Sequence, residues 1–155
     1  MKSLLFVSLL SLSVSAFAGI LKTDEVLLNE VQDQKVTDNS CTDGDPSCGV
    51  ETVQPVLVGS TKMVVASQVD MIFQIHTTET TRWSSGAQLI DVRNLQLTYG
   101  GQNGRGAQVV IYQADGNNMG IIETHLTMNC TKETEVIHCT TTLPNKNKLG
   151  LLIGR

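Results

Sequence analysis

The sequence predicts an all-β protein: a small antiparallel sandwich or barrel of roughly six strands behind a short acidic N-terminal arm. Three observations predict it. Apolar residues recur with a period of two through most of the chain from Thr61 onward, the pattern of half-buried strands. Turn-forming pairs such as Asn103-Gly104 and Asp115-Gly116 separate those runs at short intervals. Beyond Ala18 the aromatic residues are only Phe73, Trp83, Tyr99 and Tyr112, so a core has to be built from Val, Ile, Leu and Met.

The first element is not part of the fold. Residues 1–18, MKSLLFVSLLSLSVSAFA, have the three parts of a secretory signal peptide. Lys2 supplies the positive start, Leu4 to Val14 the apolar stretch, and Ala16-Phe17-Ala18 the small residues around a cleavage point. That apolar stretch falls short of the ~20 residues a membrane-spanning helix needs, so no membrane span is expected. Cleavage near Ala18-Gly19 would deliver the chain, soluble, to the periplasm or the outside. The 137 residues that follow suffice for one domain with one core.

Residues 19–58 form the acidic arm, and residues 59–155 the β-domain. The arm holds two basic residues against eight acidic ones, a net charge of −6, while the remainder has eight against seven, a net of +1. Within the arm, Thr23 could cap a short helix with Asp24 and Glu25 in its first turn and Leu27, Leu28 and Val31 along one face. No region is basic enough for phosphate neutralisation, and few rings are available for base stacking. Nucleic acid is therefore not an expected partner.

All four cysteines, Cys41, Cys48, Cys130 and Cys139, lie beyond the signal segment. An oxidising destination makes disulfides the default for an even count, and local spacing favours Cys41–Cys48 and Cys130–Cys139 over the other pairings. The first pair would close a surface loop containing Asp43-Gly44 and Asp45-Pro46. Those aspartates lack the further carboxylates of a calcium-binding loop. The second pair sits across a hairpin turning near Thr134-Glu135, where Cys130 falls directly opposite Cys139.

The strands follow in order. Between Met63 and Ile75 the odd positions are apolar except Ser67, which predicts one long half-buried strand. From Ala87 to Tyr99 the apolar phase shifts by one, predicting a bulge near Arg93-Asn94. The glycine-rich Tyr99–Ala107 stretch leads into the β-branched run Gln108–Tyr112 rather than a helix, so it reads as a hairpin turn and not a phosphate cradle. In Met119–Thr131, residues Ile122, Thr124, Leu126, Met128 and Cys130 share one face. Val136–Leu143 completes the cysteine hairpin, Pro144–Lys148 interrupts, and Leu149–Ile153 is a last apolar strand. An outer-membrane barrel is not expected, for it needs more strands of lipid-spanning length.

No catalytic spacing stands out, so the chain is not expected to be an enzyme, and no cofactor is implied. Glu123 and His125 project together at i and i+2. His76 could join them as a metal or acid–base site if its strand were a neighbour. A nucleophile elbow of the Gly-x-Ser-x-Gly kind is absent from the sequence. Arg82 and the single tryptophan, Trp83, are of the residue types enriched in binding hot spots. The expected role is thus binding or structural, in the cell envelope or outside the cell, with an unidentified protein or envelope component as partner. Two other classes are compatible with the sequence: a secreted enzyme inhibitor acting through Thr77–Gly86 or Gly100–Gly106, and a metal-assisted hydrolase using His76, Glu123 and His125.

Overall fold

The computed structural model describes residues 21–37, 39, 44, 48–84, 86–100, 106–117 and 120–155, with the side chains of residues 80–82 outside that set. The described strands are β1 (Glu25–Thr37), β2 (Glu51–Val69), β3 (Ile72–Trp83), β4 (Val92–Tyr99), β5 (Gly106–Ala114), β6 (Ile121–Lys132), β7 (Val136–Thr142) and β8 (Lys148–Gly154). Each pairs antiparallel with the next, and β8 returns to β1, closing an up-and-down barrel of eight strands.

The all-β antiparallel class therefore holds, while the count is eight rather than roughly six. Two differences account for the change. No helix forms near Thr23; residues Glu25–Thr37 are β1, which pairs with β2 and β8. In the strand register, Val26, Leu28 and Glu30 alternate inward and are each buried. The long run Met63–Ile75 is also not one strand. Its apolar alternation continues through a tight turn at Asp70-Met71, where Asp70 adopts φ 52°. Asp tolerates that left-handed conformation better than most residues, so the chain reverses there.

The alternation fills the barrel. Leu28, Ile75, Leu95, Leu97, Ile111, Met128, Leu149, Leu151 and Ile153 are almost completely enclosed. An eight-stranded barrel has an interior about wide enough to be packed solid by such side chains. The predicted phase change in β4 is present as a register shift between Val92 and Asn94 against β5. Cys130 pairs with Cys139 across β6 and β7, their Cα atoms 4.0 Å apart, and the disulfide lies inside the barrel wall. Cys48 is also disulfide-bonded. Cys41, Asp43 and Asp45 lie outside the described residues, as do residues 1–18.

Because β1 and β2 are the longest neighbours, their outer halves project beyond the barrel as a two-stranded ribbon, Val31–Thr37 against Glu51–Leu57. The projection starts at a bulge between Glu30 and Val31. A cross-strand ion pair, Lys35 to Glu51 at 3.1 Å, ties it near its tip.

Candidate functional site

The two ends of the barrel are built differently. The upper end carries the β1–β2, β3–β4, β5–β6 and β7–β8 connections; the lower end carries the other turns and both the Leu21–Asp24 entry and Arg155.

The upper end is sealed. After Trp83 the β3–β4 segment turns into the barrel mouth and buries Ala87 and Leu89, the latter with no exposed surface. Glu30, itself fully buried, holds the segment there. The backbone N–H groups of Gln88 and Leu89 donate to its two carboxyl oxygens at 3.0 and 3.1 Å. From the β7–β8 turn, Asn147 Nδ2 donates to Glu30 Oε1 at 2.7 Å and Asn145 Nδ2 at 3.5 Å. Asn145 Oδ1 in turn accepts from the Asn147 backbone N–H at 3.0 Å, an Asx turn that aims the Asn147 amide inward. Gln113 extends the seal, donating to the Ile90 carbonyl and accepting from Thr124 Oγ1, both at 3.1 Å. The buried carboxyl is thus surrounded by donors, as a buried polar group must be.

Trp83 belongs to this seal. Its ring lies on Gly59, where a Cβ would come within 2.0 Å of the indole, and its Nε1 donates to the buried Thr61 hydroxyl at 2.9 Å. Glycine at that position makes room for the ring on the facing strand. The Arg82 side chain lies outside the described set.

The lower end is open. A pocket of about 290 Å³ enters there. Val65, Met71, Phe73, Tyr99, Ile137 and Ile153 give it an apolar floor and wall. Asp24, Gln68, Lys132 and Arg155 stand among its polar lining. The entry segment is pinned at this mouth from two sides: Asp24 N–H donates to the Gly154 carbonyl at 3.1 Å, and Val65 N–H to the Asp24 carbonyl at 2.9 Å. Beside Met71, Val69 and Ile72 continue the pocket rim as an exposed apolar lip. Among the described residues, Lys132 and Arg155 take part in none of the side-chain ion pairs.

The sequence-derived candidates fall elsewhere. Glu123 and His125 do meet, with Nε2 to Oε2 at 3.3 Å, on the exposed outer wall. His76 lies in the same row but three strands away: it pairs with Asn94, Asn94 with Tyr112, and Tyr112 with Glu123. Three strand spacings amount to ~14 Å across a sheet, and the register does not bring the three residues together. Among the described residues no cluster of three or more His, Cys, Asp or Glu forms a metal-ligating group. Thr77–Trp83 is part of β3 and pairs with β2, whereas residues 101–105 of the other expected loop lie outside the described residues.

Sequence reasoning missed Glu30, Asn145, Asn147 and the pocket residues. An acid at an inward position between Leu28 and the bulge is the one signal that could have marked Glu30. No known protein family matches the chain, nor does any curated protein or solved structure resemble it.

Proposed function

We propose that this chain is an exported, disulfide-stapled binding protein whose lower mouth holds one small amphipathic molecule with an apolar body and an anionic head. The observation that carries the reading is the contrast between the two ends. Glu30 and the asparagines close one end, while the other keeps a pocket of about 290 Å³. A pocket lined by apolar side chains with a few polar groups at its edge is the usual form of a small-molecule site. Phe73, Tyr99, Ile137 and Ile153 would take the apolar body, and Lys132 and Arg155 would meet the head group. The signal segment and the paired cysteines support an oxidising, exported destination.

The test uses two fluorescent probes of similar body, anionic anilinonaphthalene sulfonate and neutral N-phenylnaphthylamine. One saturable site per chain is expected for the anion. Lys132→Glu with Arg155→Glu should weaken the anion at least ~10-fold and leave the neutral probe within about twofold. Absence of saturable binding, or equal effects on both probes, would defeat the reading. The intact mass of protein recovered from the export compartment should begin at Gly19.

A further inference from the structure

We propose that two copies of this chain associate through the upper edge of β6, joining β5–β6 of one copy to β6–β5 of the other in a continuous antiparallel sheet. The β7–β8 hairpin is short, so β6 pairs with β7 only from Asn129 to Lys132, while it pairs with β5 from Ile121 to Asn129. Among the described residues, Ile121–Met128 therefore pair along one side only, and the other side is a free strand edge in the barrel wall. Along it Ile121 and Ile122 are exposed, and Thr124 and Leu126 are half-buried.

Free edges are usually guarded, as the projecting β1–β2 ribbon is. The projecting β1–β2 ribbon carries Pro55, Lys35 and the bulge at Glu30/Val31, devices that discourage further pairing. The free part of β6 has none of these: no Pro, no Lys and no register shift against β5. An unguarded edge is a template for another strand.

The residue order selects a second copy as that strand. A two-fold axis perpendicular to the sheet pairs residues facing the same side, so the centre must fall on a residue. Centring on Thr124 places Glu123 opposite His125 of the other copy, twice, on the outer face. It also places Ile122 opposite Leu126, twice, on the inner face, with Thr124 opposite itself. Carboxylate–imidazole hydrogen-bonded, apolar and Thr–Thr pairs are all favourable across strands. Centring on Glu123 sets two carboxylates face to face, and centring on His125 sets two imidazoles together. Only the Thr124 register matches hydrogen-bonding and apolar partners at once. The Glu123–His125 contact within one copy, 3.3 Å long and exposed, is the same pair folded back on itself.

Sedimentation equilibrium of the mature chain over a graded concentration series tests this directly. The mass is expected to rise from one chain to two. Glu123→Lys alone and His125→Glu alone should each weaken association at least ~10-fold, and the double exchange should restore it to within about threefold of the original. All these side chains are exposed, so thermal unfolding of the dilute monomer should not move. A mass of one chain at every concentration would overturn the proposal and leave the edge to a different extended partner. Singles and double that associate alike would also overturn it.

Discussion

Removing the Glu30 carboxyl should open the sealed end of the barrel. In Glu30→Ala, two donors with no route to water lose their acceptor: the Leu89 N–H, on a residue with no exposed surface, and the Asn147 amide, on a residue 3% exposed. An unsatisfied buried donor costs about 1–3 kcal/mol. Gln88 is exposed and can rehydrate, so its lost bond adds little. The expected loss is ~3–5 kcal/mol, a large share of a typical domain's stability. Glu30→Gln keeps the shape but replaces one acceptor oxygen with a donor. Whichever way the amide turns, it faces at least one buried N–H, and about 1.5–3 kcal/mol should be lost.

Urea unfolding followed by the fluorescence of Trp83, which packs in the same seal, measures both variants. With a denaturant slope of about 1.5 kcal/mol/M, the alanine midpoint should fall by ~2–3 M and the glutamine midpoint by ~1–2 M. Combining Glu30→Ala with Asn147→Ala should cost less than the two singles added together, since the first already removes the second's partner. Amide exchange at Leu89 should accelerate in both Glu30 variants. Two variants within ~0.5 kcal/mol of the parent would refute the reasoning, because that is the range of a surface substitution.

Replacing Cys130 and Cys139 together by alanine frees a loop with a sequence separation of 9 and should lower stability by about 2.5–3 kcal/mol on the chain-entropy estimate, read as a shifted urea midpoint. Gly59→Ala forces the Trp83 ring away from a Cβ that would sit 2.0 Å from it, so emission should shift to the red and stability fall by ~1–3 kcal/mol. Gly154→Ala meets the Lys22 carbonyl at the lower mouth; because the obstacle is backbone, the Leu21–Asp24 entry should detach and become sensitive to limited proteolysis. His138 carries a pKa below its ordinary 6.5, chiefly because burial disfavours the charged ring, with Glu133 partly opposing. The unfolded chain then takes up the proton first as pH falls through 6.5, so stability declines there; from pH ~8 to ~5 the melting temperature should fall further in the parent than in His138→Gln.

How far the sequence foretells this molecule depends on whether a feature is local. The opposition of Cys130 and Cys139, the bulge near Arg93-Asn94 and the shared face of Ile122, Thr124, Leu126 and Met128 are all set within one hairpin or strand, and all are present. The turn at Asp70-Met71 was hidden because Val69 and Met71 prolong the apolar alternation on the sequence, although both are exposed at the tip. β1 was hidden for a related reason: Leu27, Leu28 and Val31 also fit a helical spacing, and only pairing with Met63 and Ile153 decides between the periods. The Glu30 cluster joins residues 58, 59, 115 and 117 positions apart, and no periodicity carries information over such separations. The pocket is assembled in the same way, from the entry segment, six strands and the Arg155 end.

What separates the two ends chemically is where their polar groups find partners. At the upper end Glu30, Gln113, Thr124, Asn145 and Asn147 all bond to one another or to the backbone they enclose. These groups are committed chiefly to one another, and disturbing the network costs folding stability. Lys132 and Arg155 at the lower mouth are charged, close to apolar walls, and outside the ion pairs of the described residues. Charge reversal there should therefore change anion binding while leaving the urea midpoint nearly fixed, whereas Glu30→Gln should do the opposite. A Lys132→Glu variant that unfolds as early as Glu30→Gln would place Lys132 in the scaffold and remove the distinction on which the binding site rests.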